Sequence, residues 1–364
     1  MPKIRVLMID DAVVIRRLVS DVLNADPAIE VVGTAANGKI GLAKIPQVNP
    51  DLVTLDIEMP EMDGLETLAA IRKTYPRLPV IMFSTLTARG ATATLDALSL
   101  GANDYVTKPA NVGSVATAIE RVRDELVPKI KLFCRQVLGT AALNGVVASA
   151  ATAARSAAPQ LRKASAKIEL LAIGCSTGGP NALAALIPEI PADFPVPIVI
   201  VQHMPPVFTR SMAQRLDAQA KIAVSEAAAG EMLAPGHAYV APGDFHMSLT
   251  RSETTARLRL HQGPPENSCR PAVDVLFRSV AETYGGATLA VVLTGMGKDG
   301  LNGCESIREK GGQVLVQDEA TSVVWGMPGF VARAGLADQV LPLDRIATEI
   351  VRRVKQGRSL PLFA

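Results

Sequence analysis

Short apolar runs alternate with amphipathic segments along roughly the first 125 residues. The runs have the length of buried strands, and segments such as 13–23 and 65–75 place apolar residues at helical spacing. Five such runs separated by helices predict a parallel sheet covered on both faces. The predicted strands are residues 6–10, 31–35, 52–57, 80–84 and 105–107.

A second pattern of this kind begins at residue 168. Its apolar strands are predicted at 170–174, 197–202, 289–294 and 313–317, while residues 236–260 have the pattern of hairpins. The predicted fold class is therefore α/β, with two doubly wound parallel-sheet domains. We expect an N-terminal (βα)5 domain over residues 1–125 and a C-terminal Rossmann-like domain over residues 168–364.

The segment between the two patterns, residues 126–167, is predicted to be an interdomain linker. Its stretch 148–158 is rich in alanine and poor in large apolar residues, so part of it could be helical. A surface helix of one domain is the alternative interpretation.

Composition narrows the class of protein. Hydrophobic residues make up 48% of the chain, as in a well-packed globular protein, and the formal net charge is only +2. This weak charge gives no reason to expect nucleic acid as a partner. The scattered cysteines favour buried free thiols, and no apolar run reaches the ~18 residues of a membrane span. We expect a cytoplasmic protein that does not insert into a membrane.

Acidic residues follow the first and third predicted strands. Asp10 and Asp11 follow the first, Asp56 lies at the end of the third, and Lys108 follows the fifth. Because the carboxyl ends of parallel strands meet in one crevice, these side chains should lie together. Crowded carboxylates favour a hard cation such as Mg²⁺, and Lys108 adds a second positive charge that can stabilise a phosphoryl group on Asp56. Asp10 and Asp11 alone would more simply cap the following helix.

These positions belong to longer motifs that resemble response-regulator receiver domains. The motifs are IDD (9–11), LDIEMPEMDG (55–64), the strand-ending Ser84 and DYVTKP (104–109). The resemblance implies phosphoryl transfer from a histidine-kinase phosphohistidine to Asp56. It also implies Mg²⁺ held by Asp11, Asp56 and the Glu58 carbonyl with help from Asp10 through water. Ser84, Tyr105 and Lys108 would be the residues that respond to the phosphoryl group.

A G-x-S-x-G motif follows the first strand of the second domain. Ser176 lies in this motif, between a predicted strand and a helical stretch, where a tight turn can expose a serine hydroxyl. The motif alone is weak evidence, since the serine could merely cap the helix. His203 directly follows the next strand, and Asp299 follows the strand at 289–294. One crevice could gather the three residues as nucleophile, base and orienting acid.

Residues 295–300 also match G-x-G-x-x-G, with Asp318 at the end of the next strand. This pattern is typical of dinucleotide binding, but it lies late in the domain, and Asp299 would place a negative charge beside a pyrophosphate. The triad order Ser…His…Asp also differs from that of α/β-hydrolases.

Six motifs of the C-terminal domain resemble the chemotaxis protein-glutamate methylesterase (CheB) family. They are IGCSTGGP (173–180), QHMPPVFTRSMAQRL (202–216), APGDFHM (241–247), RPAVDVLF (270–277), TGMGKDG (294–300) and VVWGMPG (323–329). The resemblance implies that Ser176, His203 and Asp299 are catalytic. It further implies that the Met296 amide binds the oxyanion and that Thr177 helps to position the histidine. Cys175 stands where alanine is common, which suggests sensitivity to thiol reagents.

The expected function is a phosphorylation-activated serine hydrolase acting in chemotaxis adaptation. It would demethylate glutamate 5-O-methyl esters of methyl-accepting chemoreceptors, and some family members also deamidate glutamines. The phosphodonor would be the chemotaxis histidine kinase; Mg²⁺ would serve the receiver, and the esterase would need no cofactor. The alternatives are a receiver-gated binding module with an inactive triad and a receiver-linked transcription factor, although the second domain shows no basic face.

Overall fold

The computed structural model describes residues 2–108, 115–135, 167–252, 255–356 and 358. The chain divides into two compact units, Met1–Gln160 and Leu161–Ala364. Each unit contains its own sheet, as expected from the two separate sequence patterns. No helix in the described ranges combines the length and the apolar character that crossing a bilayer requires.

The N-terminal unit is a five-stranded parallel sheet in the order β2-β1-β3-β4-β5. Its central strand β3 is buried over its whole length, as expected for a strand covered on both faces of the sheet. The elements are β1 Ile4–Ile9, α1 Val13–Asn24, β2 Ile29–Ala35, α2 Gly38–Val48, β3 Leu52–Asp56, α3 Gly64–Thr74, β4 Val80–Ser84, α4 Ala88–Ser99, β5 Asp104–Thr107 and α5 Val115–Phe133.

Helix α5 continues past residue 125, where the sequence pattern had placed the start of the linker. Val122, Leu126 and Ile130 follow one another at helical spacing, and all three are buried in the same core as β1. Residues 126–133 therefore belong to the N-terminal unit. The alanine-rich stretch 148–158 lies outside the described residues.

The C-terminal unit contains a seven-stranded sheet in the order β14-β13-β12-β6-β7-β9-β8, and all its strands are parallel. Strands β10 and β11 form a separate antiparallel pair. The elements are β6 Leu170–Cys175, α6 Gly179–Leu186, β7 Ile198–Gln202, α7 Phe208–Asp217, β8 Ala223–Glu226, β9 His237–Val240, β10 His246–Ser252, β11 Thr255–His261, α8 Val273–Tyr284, β12 Thr288–Val292, α9 Leu301–Glu309, β13 Gln313–Gln317, α10 Met327–Arg333, β14 Gln339–Leu341 and α11 Leu343–Lys355.

The predicted hairpins at 236–260 are correct only for β10 and β11. Strand β9 instead pairs in parallel with β7 and β8 in the main sheet. Its short sequence is buried at three of four positions and carries no periodicity that distinguishes the two pairings. The prediction of an α/β fold with two parallel sheets is confirmed.

In both sheets the strand order reverses at the first strand of the unit. The chain moves outward from β1 on one side and returns at β3 on the other, and β6 and β12 have the same relation. Such a switch point leaves a crevice beyond the carboxyl ends of the two neighbouring strands. The acidic residues and the serine motif both follow strands at these crevices.

Candidate active site and phosphoacceptor pocket

The crevice of the N-terminal unit holds two buried carboxylates against one lysine. The Lys108 Nζ atom lies 2.9 Å from Asp10 Oδ2 and 2.7 Å from Asp56 Oδ2. Asp10 and Asp56 are each only 2% exposed. Their second oxygens accept backbone N–H groups, from Ala12 to Asp10 at 2.8 Å and from Glu58 to Asp56 at 3.3 Å. Asp10 thus serves the start of α1 with one oxygen and the crevice with the other.

Burial dominates the electrostatics of Asp56. Desolvation raises the pKa of Asp56 to about 6, although the hydrogen bond and the charge of Lys108 oppose this shift. For Lys108, burial lowers the pKa, but the contacts with Asp56 and Asp10 outweigh it and leave the pKa raised. The ammonium group therefore stays charged beside a carboxylate that is costly to ionise.

This pocket fits the donor set of a hard divalent cation. One carboxylate oxygen from each of Asp10, Asp11 and Asp56 lies within 4.8 Å of the others. Among the described residues, the buried Oδ2 atoms of Asp10 and Asp56 have the Lys108 ammonium as their polar partner, at 2.9 and 2.7 Å. Oxygen atoms with this remaining capacity are the ligands that Mg²⁺ prefers. Asp11 is exposed and offers an open side to the pocket.

The remaining predicted residues of this unit occupy the neighbouring strand ends. Ser84 is buried, and its hydroxyl donates to the Gly90 carbonyl at 3.1 Å and accepts from Thr94 at 2.8 Å. The hydroxyl is therefore bonded to α4. Tyr105 is 8% exposed, with the Lys129 ammonium 5.4 Å from its ring centroid.

In the C-terminal unit, Ser176 lies in the turn between β6 and α6. Its N–H donates to the Thr294 carbonyl at 3.0 Å, and its own carbonyl accepts from Gly179 at 2.7 Å. The turn requires Gly178, whose φ of +79° lies in the left-handed region. Ser176 is half-buried, and among the described residues its hydroxyl has no hydrogen-bond partner. A strand–turn–helix with an uncommitted hydroxyl is the context that the motif predicted.

The side chains of His203 and Asp299 form a buried pair. Nε2 of His203 lies 2.7 Å from Oδ2 of Asp299, and their side chains are 12% and 3% exposed. The backbone N–H of His203 donates to the Cys175 carbonyl at 3.2 Å. This bond joins the end of β7 to the residue before Ser176. Since Asp299 occupies Nε2, the nitrogen that remains for other partners is Nδ1.

Asp299 accepts hydrogen bonds at both of its oxygens. Three backbone N–H groups, one amide and the imidazole surround the carboxylate, at 2.6–3.0 Å. The donors to Oδ1 are Asp274 N, Gly300 N and Asn267 Nδ2, and the donors to Oδ2 are Val273 N and His203 Nε2. Such a carboxylate is held in one orientation.

These contacts set the charges of the pair. Burial raises the pKa of Asp299, but the bond to His203 and the backbone donors outweigh it and lower the pKa. Burial lowers the pKa of His203, but the hydrogen bonds to Asp299 and Cys269 outweigh it and raise the pKa. The arrangement stabilises an imidazolium, which is the charge that develops when a histidine takes a proton from a nucleophile.

Comparisons with known proteins match both units. Residues 171–350 match the CheB methylesterase family, and residues 6–120 match the response regulator receiver domain. A protein-glutamate methylesterase/protein-glutamine glutaminase of Trichodesmium erythraeum is 59% identical over 97% of this chain and 100% of its own length. One from a Nocardioides species is 56% identical, over 98% of this chain and 97% of its own. The chain belongs to the CheB methylesterase family.

A solved structure gives the same result for the C-terminal unit. The crystal structure of the Thermotoga maritima CheB methylesterase catalytic domain has 45% sequence identity and a TM-score of 0.50. The match covers 51% of this chain and 98% of that one. Membership of the CheB family and the receiver domain, both predicted from motifs, are therefore confirmed.

The loop after β12 of this chain contains the three glycines that match the dinucleotide-binding pattern G-x-G-x-x-G. A Cβ on Gly295 would lie 2.3 Å from Met327 Sδ and 3.0 Å from Ser176 Cβ, so glycine permits the close approach of this loop to Ser176. Gly297 and Gly300 have φ values of +86° and +92°. These glycines are accounted for by the path of the loop that carries Asp299.

Two further residues expected from the CheB resemblance are Met296, which follows Gly295, and Thr177, which follows Ser176. Among the described residues, the Met296 N–H has no hydrogen-bond partner, and its side chain is 37% exposed. Thr177 is buried, and its carbonyl accepts from the Thr294 hydroxyl at 2.9 Å.

The cysteine expected to be sensitive to thiol reagents is fully buried. Cys175 is 0% exposed, and burial raises the pKa of its thiol far above the usual range. Cys269 is instead partly exposed, and its Sγ lies 3.5 Å from His203 Nδ1. The expectation for Cys175 is wrong, because a thiol without access to solvent is inert. Sequence position beside the serine gave no information on burial.

The sequence did not indicate that Asn267 and Gln202 contact the candidate triad residues. Gln202 ends β7, and its Nε2 donates to the carbonyls of Ser176 and His203 at 3.0 and 3.1 Å. Asn267 lies in a loop and donates to Asp299. The motifs contained Gln202 but gave no sign of its contacts, and Asn267 lay outside all of them.

Proposed function

We propose that the chain hydrolyses glutamate γ-methyl esters of chemoreceptors through a Ser176–His203–Asp299 triad. The observation that carries the proposal is the 2.7 Å contact between His203 Nε2 and Asp299 Oδ2 at the switch point where the Ser176 turn begins. The two relatives described above are named for methylesterase and glutaminase activity. Membership of their family supports the same reaction here.

In this mechanism Ser176 Oγ attacks the ester carbonyl while His203 Nδ1 takes the serine proton. Asp299 holds Nε2 and stabilises the imidazolium. The Met296 N–H, which has no partner among the described residues, donates to the oxyanion. The imidazolium then returns its proton to the departing methoxide, which leaves as methanol and gives an acyl-enzyme. Water activated by His203 releases the glutamate carboxylate and restores the serine.

Deamidation of glutamine is the second activity that we propose. The names of the relatives include protein-glutamine glutaminase. The same acyl-enzyme forms when the His203 imidazolium protonates the departing amide nitrogen, which leaves as ammonia, instead of the methoxide of an ester, so the site needs no additional group.

The receiver would regulate this activity through phosphorylation of Asp56. Asp56 attacks the phosphorus of a histidine-kinase phosphohistidine, and the kinase histidine leaves. Asp11, Asp56 and the Glu58 carbonyl would hold Mg²⁺, with Asp10 acting through water, and the ion would neutralise phosphoryl oxygens. Lys108 supports this role because its ammonium already lies 2.7 Å from Asp56. Ser84 and Tyr105 would then move toward the phosphoryl group and raise the esterase activity.

The decisive experiment measures methanol release from methylated receptor by the full chain, with and without a small phosphodonor and Mg²⁺. We expect phosphorylation to accelerate release, and Ser176→Ala to abolish it. A fluorophosphonate should label the wild-type chain once, at Ser176. An unlabelled Ser176 together with receptor binding but no methanol would support the rival function, a receiver-gated binding module.

A further inference from the structure

A tight turn beside the catalytic pair contains the residues Glu266–Cys269. Glu266 N donates to the Cys269 carbonyl at 3.0 Å, and Cys269 N donates to the Glu266 carbonyl at 2.9 Å. The two central residues, Asn267 and Ser268, have φ values of +51° and +63°. A two-residue hairpin turn with both central residues in the left-handed region is of type I′, in which asparagine is favoured. A bidentate ion pair from Glu266 to Arg278, at 2.6 Å for both bonds, fixes the turn to α8.

The Asn267 side chain connects two carboxylates. Its Nδ2 atom donates to Asp299 Oδ1 at 2.9 Å and to Asp274 Oδ2 at 3.0 Å. Asp274 and Asp299 are 1% and 2% exposed, whereas Asn267 itself is exposed. A single neutral amide therefore uses both of its N–H groups to cover two buried acids from the solvent side.

Asp274 is itself fixed on the opposite side. Its Oδ1 accepts the Gly303 N–H at 2.7 Å, and its own N–H donates to Asp299 Oδ1. Burial raises the pKa of Asp274, with the neighbouring Asp299 adding to the shift. Replacing the bridging amide by a carboxylate would place a third acid against these two.

We propose that Asn267 is a positioning residue of the triad, acting on Asp299. Its amide holds Oδ1 of the carboxylate so that Oδ2 remains aimed at His203 Nε2, and it spreads the negative charge over both oxygens. Without this donor, more of the charge acts on the imidazole, and the pKa of His203 rises. The other titratable or charged groups around the pair are Cys269, Asp274, Glu266 and Arg278. The inference rests on the proposed triad.

The competing explanation is that Asn267 serves only the turn. Glycine and aspartate also tolerate a left-handed φ, so Asn267→Gly and Asn267→Asp keep the turn while removing the amide donors. The experiment uses the full chain and measures the second-order rate of fluorophosphonate labelling of Ser176 from pH 5 to 10. We expect Asn267→Gly to slow labelling roughly 10- to 100-fold, because it removes a hydrogen bond to a charged group.

The pH profile separates positioning from damage to the fold. The acidic limb should move to higher pH in Asn267→Gly and further in Asn267→Asp, which adds a negative charge. Ser268→Gly is the matched control: it alters the other left-handed residue of the same turn and should leave rate and limb unchanged. Near-UV circular dichroism of each variant checks the fold.

Three outcomes would overturn the inference: Asn267→Gly and Asn267→Asp both within about twofold of wild type, a slower rate with an unmoved limb, or an equal loss in Ser268→Gly. A wild-type chain whose Ser176 is not labelled at all contradicts the proposed triad instead, so the two failures are distinct.

Discussion

The two units place buried carboxylates at equivalent points of two parallel sheets but surround them differently. Asp56 has one backbone donor and a lysine, and burial raises its pKa to about 6. Asp299 has five donors, and its pKa is lowered. Equal burial therefore gives opposite results, because the number of donors decides whether desolvation is offset.

This difference suits two kinds of chemistry. A carboxylate with only one backbone donor and one lysine partner has lone pairs left to accept a cation and attack phosphorus, as we propose for Asp56. A carboxylate with every lone pair engaged keeps its charge and orientation, as the acid of a triad must. The topology provides the position, and the neighbouring donors decide the role.

Of the changes that test this comparison, the largest effect should come from removing the negative charge of Asp299, the carboxylate with five donors. Asp299→Asn replaces the acceptor of His203 Nε2 and favours the wrong tautomer, so we expect esterase turnover to fall by about 10³- to 10⁴-fold. Methanol release under single-turnover conditions measures this loss.

Asp318→Asn is the matched control for Asp299→Asn. Asp318 also follows a strand of the same sheet, but its carboxylate bonds to Thr321. Its replacement should change turnover only slightly. Equal losses in the two variants would contradict the special role of Asp299.

Asp56, the carboxylate with few donors, should instead lower the free energy of unfolding of the receiver. The folded pKa of Asp56 lies above the unfolded value of 3.8, so the wild-type receiver loses stability as pH rises through about 6. Asp56→Asn removes this cost, and Lys108 keeps Asp10 as a partner. We expect the receiver to gain roughly 1–3 kcal/mol at pH 7.5 without Mg²⁺.

Calorimetry of the full chain measures this gain. Tryptophan fluorescence is unsuitable, because the only tryptophan, Trp325, lies in the C-terminal unit and does not report on the receiver. The gain should shrink as pH falls below about 6 and should vanish only well below the unfolded pKa of 3.8, where wild-type Asp56 is protonated in both states. A gain that persists there would mean that burial of the charge is not its cause. Adding Mg²⁺ should stabilise the wild type more than the variant.

The pH dependence of labelling tests the imidazole. Because the pKa of His203 is raised above 6.5, neutral imidazole and hence labelling of Ser176 should appear only as pH rises above that value. The midpoint of the pH profile should lie at least about one pH unit above 6.5. Below the midpoint, each unit of this shift lowers the fraction of neutral imidazole about tenfold. A midpoint at or below 6.5 would show that Asp299 does not control the charge of His203.

The smallest effect should come from Cys269. Its thiol is a weak hydrogen-bond partner for His203 Nδ1, so Cys269→Ala should change turnover by only about two- to fivefold. Cys175→Ala, at a buried site of the same size, is the control for packing. A large loss in Cys269→Ala alone would mean that the thiol takes part in catalysis.

The sequence predicted those features that depend on strand ends. Ser176, His203 and Asp299 each follow a strand of one sheet, and Asp10, Asp56 and Lys108 lie at strand ends of the other, so parallel topology places each set at one edge of its sheet. It did not predict β9, whose four residues have no periodicity, or the end of α5, whose residues 126–133 were assigned to the linker. Asn267 was invisible because its contacts depend on a turn and on α8, which no local pattern relates to Asp299.

The pairing of β6 with β12 has a consequence for biosynthesis. Leu170 begins the strand that leads to Ser176, but its partner Thr288 emerges from the ribosome much later, and Asp299 later still. The receiver core needs only the chain up to α5. A nascent polypeptide therefore completes the pocket of Asp56 early and carries a C-terminal unit that lacks both Asp299 and half of its central strand pair. Hydrolysis of receptor esters can begin only after the chain has been translated beyond β12.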